Sequence, residues 1–280
     1  MKKTGIFYHP SFSKRSYLTI GTRLSLFPNA FKEILKNSNI KLYESKPVSK
    51  DLILRVHTEE MLEGVKRDFL CSTAWHSAGG VVQAAEKIWE KEIDNAFVYI
   101  GSGGHHSGRN YHWGYCCFND VALAIENLRE KYNARRFAIL DTDAHHGDGT
   151  REIFANDSEV LHVCFCGYDE VSKDGTKVDV GYSWGITDEE YLKKVEEEFS
   201  PRARKFKPDL LFWYFGHDTH KGDYGSIGLT TKCYFGIADL VRDLADEICN
   251  GSLEVVLGGG SRTDVVTEAS LGIIARIAEI

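Results

Sequence analysis

Five ionisable side chains fall within eight residues in Asp141-Thr-Asp143-Ala-His145-His146-Gly-Asp148, directly behind the apolar run Phe137-Ala-Ile-Leu140. In an extended chain successive side chains turn to opposite faces, so Asp141, Asp143 and His145 are expected to share one edge where the segment 136–143 runs out. Two carboxylates and an imidazole on one edge suit a divalent metal with a position left for water. Taken alone, the run also reads as a polar loop of hydrogen-bonded carboxylates. A second polar run, Gly101-Ser-Gly-Gly104-His105-His106-Ser-Gly108, follows Ala96-Phe-Val-Tyr-Ile100. Paired histidines suit proton transfer, because imidazole titrates near neutrality and a neighbouring carboxylate holds its tautomer. A third run, Asp209-Leu-Leu-Phe-Trp-Tyr-Phe215, ends in Gly216-His217-Asp218.

These groups need a scaffold that brings three strand ends together. The near-continuous hydrophobicity of 209–215 is that of a strand buried on both faces. Short apolar segments alternate with longer amphipathic ones, the βαβ pattern of a parallel sheet. Strands are expected at 5–8, 96–100, 136–140, 160–165, 210–215 and 253–257, and helices at 78–91, 119–132 and 188–199. The fold class expected is α/β, a three-layer α/β/α arrangement around a mostly parallel sheet, with residues 1–280 as a single domain. In such sheets ligands bind outside the carboxyl ends of the strands. The run Gly258-Gly-Gly260-Ser261-Arg262 follows the last strand and either lets the backbone approach a ligand closely or turns the chain.

Bulk properties narrow the function. The chain has 280 residues, 42% of them hydrophobic, and a net charge of −7, which argues against a nucleic-acid partner. Its basic cluster, residues 201–207, reads as a solvated helix end. No stretch of 18 apolar residues is present, so no membrane span is expected. The apolar segment after Met1-Lys-Lys-Thr is too short for a secretory signal, and a cytoplasmic location is expected. Seven cysteines, an odd number, fit reduced thiols better than a disulfide framework. Cys116-Cys117 and Cys164-Phe-Cys166 lack the wider spacing usual for a structural zinc knuckle. The glycine runs match neither dinucleotide-binding nor P-loop spacing, and a G-x-S-x-G nucleophile elbow is missing.

With these residues in view, the chain resembles the zinc-dependent histone deacetylase superfamily, on the arginase/deacetylase fold, including its acetylpolyamine amidohydrolase and acetoin-utilisation-like prokaryotic members. The likeness is carried by Val56-His57-Thr58, Gly103-Gly-His105-His106, Gly114-Tyr-Cys-Cys-Phe-Asn119-Asp, the run Asp141 to Thr150, and Gly216-His-Asp218. It implies a metal-dependent amidohydrolase that removes an acetyl or other acyl group from an amine, either a small molecule or a lysine. It implies one zinc held by Asp143, His145 and Asp218, with Asp141 and Asp148 orienting His105 and His106. His106 is then the general base, and Gly114 and Tyr115 line the substrate channel. The family's potassium ion, held by backbone carbonyls around 141–145, is a further expectation, with Cys164 where a Ser usually contributes.

One departure stands out. The family's late glycine run ends in a Tyr whose hydroxyl supports the developing oxyanion, whereas Ser261 and Arg262 follow Gly260 here. Losing such a donor costs about 10²–10³ in rate. Arg262 is the expected cationic replacement; pairing with Asp264 or capping a carbonyl is its alternative. Two other functions stay open: a non-catalytic or weakly active module that binds an acylated ligand, and a ureohydrolase-like dimetal enzyme. The latter is disfavoured because Asp143-Ala-His145 is followed by His146-Gly-Asp148, one residue too long for the bridging motif.

Overall fold

The protein's structure is a computed structural model that describes residues 1–16 and 22–280. Its strands are β1 (Thr4–Tyr8), β2 (Ile40–Glu44), β3 (Asn95–Val98), β4 (Phe137–Asp141), β5 (Val160–Cys164), β6 (Glu170–Val171), β7 (Lys177–Asp179), β8 (Leu210–Phe215) and β9 (Leu253–Leu257). Its helices are α1 (Ser11–Lys14), α2 (Lys50–Val56), α3 (Glu59–Arg67), α4 (Ala74–Trp89), α5 (Asp120–Tyr132), α6 (Asp148–Ile153), α7 (Asp188–Phe206), α8 (Thr231–Cys249) and α9 (Thr263–Ile277). The strands form one nine-stranded sheet in the order β2-β1-β3-β9-β8-β4-β5-β7-β6. Every pairing is parallel except β6 with β7.

That order places the site. Strands β8 and β9, late in sequence, fill the gap between β3 and β4, so four carboxyl ends lie side by side where the order reverses, as expected of ligand sites in open α/β sheets. All residues of β3, β4, β8 and β9 are buried, so both sheet faces must be covered. One helical group, α2, α4 and α5, packs together, and α4 also lies against β1, β3 and β9; a second, α7, α8 and α9, contacts the sheet from β3 to β5. Trp213, wholly buried in β8, satisfies its indole N–H on Thr142 Oγ1 at 2.8 Å. That bond ties β8 to the start of the acidic run after β4.

Local rules account for most boundaries. Thr187 caps α7 with a reciprocal capping box through Glu190, and its first turn is acidic, which favours the positive end of the helix dipole. The helix continues past its expected end at 199, through Pro201, to Phe206. Its basic end is held by ion pairs: Arg202 with Glu198 and Arg204 with Glu247 of α8.

Asn119 caps α5 by accepting from Ala122 N–H at 3.1 Å, and its amide also donates to Ser107 O and Thr150 Oγ1, both at 3.0 Å. A single cap therefore joins the histidine loop to the acidic run. His57 supports the same junction, donating from Nδ1 to Gly108 O at 2.8 Å and accepting Asn119 N–H on Nε2 at 3.0 Å. Only the neutral ring can do both. Burial holds its pKa down at about 4, against an ordinary 6.5. The unfolded chain therefore takes up this proton first. The stability due to neutral His57 is complete above pH 6.5 and is lost as pH falls toward 4, by about 3 kcal/mol. Urea unfolding at pH 7 and pH 4.5 will show this loss, and His57→Asn will flatten that part of the slope.

Candidate metal centre and histidine pair

Three donors converge beyond the ends of β4 and β8. Asp143, His145 and Asp218 each present a ligand atom within 4.8 Å of the others. His145 Nδ1 lies 3.1 Å from Asp143 Oδ1 and 2.9 Å from Asp218 Oδ2. Both carboxylates are buried, while the His145 side chain is 44% exposed, so the cluster opens toward solvent on the imidazole side. Glycines permit the crowding: a Cβ on Gly216 would sit 2.7 Å from both Asp143 Oδ2 and Asp218 Oδ1.

The donor set fits a divalent cation. Two buried carboxylates face one another across the His145 ring, and hydrogen bonding to Asp143 and Asp218 raises the His145 pKa to about 10. Burial, reinforced by the neighbouring Asp143 charge, pushes the Asp218 pKa up to about 7. Such a pair attracts positive charge, which the His145 imidazolium or a divalent ion can supply, and a mixed carboxylate and imidazole set suits zinc. A second cluster differs in this respect. His146, Cys164, Cys166 and Asp179 also converge, bringing the Cys-x-Cys pair to partners remote in sequence. There, however, Arg151 clamps Asp179 at 2.8 and 3.1 Å, a permanent cation with which an ion would have to share that carboxylate.

Beside the three donors lies the histidine pair. His105 Nδ1 donates to Asp141 Oδ2 at 3.0 Å and His106 Nδ1 to Asp148 Oδ1 at 2.6 Å. Each Nδ1 is thereby engaged, which leaves Nε2 as the atom that can exchange a proton. The two environments differ. Burial alone would lower His105, but the Asp143 and Asp141 carboxylates outweigh it and hold its pKa at about 9. Burial and the adjacent His105 charge instead lower His106, in spite of Asp148. One ring is a proton holder and the other is neutral at pH 7, a division suited to acid and base roles.

Several expectations are corrected here. Asp141, Asp143 and His145 do not form one ligand edge: β4 ends at Asp141, alternation stops there, and Asp141 turns to His105 while Asp143 and His145 meet Asp218. Arg262 does not supply the missing donor. Its Nε and Nη2 bond Asp264, and its Nη1 donates to Lys221 O at 3.0 Å. Ser261 Oγ is directed to Asp223 at 2.6 Å. Cys71 and Cys117, 46 residues apart, form a disulfide with Cα atoms 5.7 Å apart, contrary to the expectation of reduced thiols alone; no local spacing signals that pairing. Cys164 Sγ lies 3.9 Å from the His145 carbonyl, so the thiol stands beside one of the backbone carbonyls expected to hold potassium. Gly114 lies against His106, 2.7 Å from its Cδ2 if given a Cβ. Tyr115 has a left-handed backbone, φ 61°, and its carbonyl accepts Gly103 N–H.

Other contributors carry no motif signal. Wholly buried Arg23 donates to the carbonyls of Gly258 and Gly260 at 2.6 and 3.1 Å, shaping the glycine run as a close approach to the site. Tyr214 stacks on His105 at 4.7 Å and accepts Gly104 N–H. Trp113 lies 4.2 Å from the His106 ring and donates its indole N–H to Asp148 Oδ2.

A mostly parallel α/β sheet gathers an Asp-His-Asp cluster and two carboxylate-backed histidines at its strand ends, an arrangement suited to metal-assisted hydrolysis. Residues 21–277 match the histone deacetylase domain family. A protein of Archaeoglobus fulgidus named probable deacetylase is 32% identical, over 98% of this chain and 86% of its own length. Histone deacetylase HDA1 of Saccharomyces cerevisiae is 30% identical over 79% of this chain, which spans 37% of that protein. The crystal structure of the HDA15 HD domain has a TM-score of 0.86 at 21% identity, covering 99% of this chain and 89% of that one; this is a likeness of fold. The chain belongs to the histone deacetylase domain family and has its α/β arginase/deacetylase-like fold. It is accordingly a deacetylase-like hydrolase. Among the described residues no helix is long and apolar enough to cross a membrane.

Proposed function

We propose that this chain hydrolyses the amide of an acylated amine, either a small acetylated amine or an acyl-lysine, with one zinc ion held by Asp143, His145 and Asp218. The observation that carries this reading is the convergence of the buried Asp143–Asp218 pair with His145 beside two carboxylate-backed histidines. A bound divalent ion supplies Lewis acidity to the amide carbonyl and to the attacking water. His106 takes the water's proton at Nε2, and Asp148 stabilises the imidazolium that forms. His105, backed by Asp141, holds positive charge beside the reacting carbonyl and keeps a proton close to the departing amine nitrogen. Trp113 packs on His106 and fixes the ring's plane.

Protein loaded with zinc is to be offered acetyl-lysine peptides, acetylated polyamines and trifluoroacetyl-lysine. Acetate release from an acetyl substrate is expected. Tight binding of all three without turnover would replace the hydrolase by a module that holds an acylated ligand, a reading favoured by Ser261 standing where the family has its Tyr. Two manganese ions per chain would indicate ureohydrolase-like chemistry.

A further inference from the structure

We propose that the Tyr224 hydroxyl is the oxyanion donor of this chain, brought from the loop after β8 instead of from the residue that follows the glycine run. The proposal rests on the hydrolase reading above. The hydroxyl stands at the metal centre. One point, where a methyl on Gly259 would sit, is 2.6 Å from Asp143 Oδ2, 2.9 Å from Asp218 Oδ2 and 2.8 Å from the Tyr224 hydroxyl. The Tyr224 ring also lies 5.7 Å from that of His145. Both side chains are on the open side of the cluster: Tyr224 is 52% exposed, so its ring walls the entrance that a substrate must use.

The loop is held to this position. Asp223 accepts Ser261 N–H, Ser261 Oγ–H and Arg262 N–H at 2.6–3.1 Å, and also Tyr224 N–H at 2.8 Å. One carboxylate therefore clamps the segment carrying Tyr224 to the end of the glycine run. Gly225 lets the chain lie flat on the ligands, since a Cβ there would come within 3.0 Å of Asp218 Oδ2 and 2.6 Å of Ala144 Cβ. Gly260 N–H donates to the Tyr224 oxygen at 2.9 Å. A hydroxyl that accepts a hydrogen bond is a stronger donor through its own proton. Donors pre-aimed at the point where negative charge develops give the largest electrostatic term in acyl transfer. The step is a hydrogen bond alone: the phenol keeps its proton while the carbonyl oxygen gains charge. Among the described residues Arg262 is bound to Asp264 and Ser261 to Asp223, whereas the Tyr224 oxygen stands beside the Asp143 and Asp218 carboxylates.

Tyr224→Phe tests the assignment. On an acetyl substrate kcat is expected to fall by about 10²–10³ with KM and zinc content unchanged. On the trifluoroacetyl analogue, whose carbonyl needs less support, the fall should be smaller by at least about tenfold. Equal losses on both substrates, or an undiminished acetyl rate, would overturn the proposal while leaving the hydrolase intact. A wild type inactive on every substrate would remove the hydrolase reading, and this assignment with it. Should Tyr224→Phe lose its metal or misfold, fluorinated tyrosine at position 224 keeps the ring and lowers the phenol's pKa. The alkaline limb of kcat should then move to lower pH, and an unmoved limb would overturn the assignment.

Discussion

Asp218→Ala will leave the protein without its divalent ion and without turnover, falling to the uncatalysed background. Asp218 sits just beyond β8, its Oδ1 fixed by Ala144 N–H at 3.1 Å and its Oδ2 2.9 Å from His145 Nδ1. Removing it takes away one of three donors and half of the buried negative charge. Asp143 and His145 can then satisfy each other as an ordinary ion pair, so little drives a cation into the remaining space. Stability should show the opposite sign in the metal-free protein. There the wild type buries two carboxylates side by side, and relieving that repulsion will leave apo Asp218→Ala at least as stable as apo wild type. The rise in Tm on adding zinc, which measures binding to the folded state, will vanish in the variant. Metal analysis of purified protein decides the matter: one zinc per chain in Asp218→Ala would refute the ligand assignment.

His106→Ala will retain the metal and lose about 10²–10⁴ in kcat, the usual contribution of a positioned general base. His106 makes no hydrogen bond to the three donors, meeting only the His145 ring edge-on at 6.1 Å, and its own ring is held by Asp148 and Trp113, so its removal leaves the cluster's ligand atoms in place. The sign of the pH dependence follows from burial and the His105 charge, which lower the His106 pKa. The base must be neutral to accept a proton. Wild-type kcat will therefore be on its plateau at pH 7 and fall on the acid side, below the ordinary histidine value of about 6.5. Asp148→Asn keeps the hydrogen bond but removes the charge that stabilises the imidazolium, so its plateau will drop. Stopped-flow or steady-state rates from pH 5 to pH 9 test both variants; an unaltered rate in His106→Ala would assign the base elsewhere.

The parts of the fold legible in the sequence are those set by local hydrophobic pattern. Strand β8 has the expected limits, 210–215, because a run of six apolar residues can only lie where both faces are covered; β9 likewise runs over 253–257. Helix α5 begins where Asn119 promises a cap. Helices α8 and α9 lie outside the expected set, although Cys233, Ile237, Val241 and Leu244 repeat at helical spacing and are buried in α8. Residues 188–199 mark only the first part of α7, since the proline that suggests a stop is accommodated in a helix packed against α8.

The candidate site divides along the same line. Types and spacings of ionisable residues in 101–108, 141–148 and 216–218 were enough to single out those three runs, because clustered histidines and aspartates behind apolar strands are chemically costly without a role. The family resemblance already grouped them, and the sheet order supplies the physical reason. The β4 end separates Asp141 from Asp143 as its last residue passes into a turn, and β8 beside β4 supplies the third donor.

Legible in the sequence by itself are the mostly parallel α/β class and the short ionisable runs that form the candidate site, since alternation, capping and residue type act over a few neighbours. The tertiary structure turned Arg262 to Asp264, joined Cys71 to Cys117 and brought the Tyr224 hydroxyl beside the Asp143–Asp218 pair. Those outcomes depend on contacts between segments tens of residues apart, where loop packing and charge balance, not local preference, select the partner.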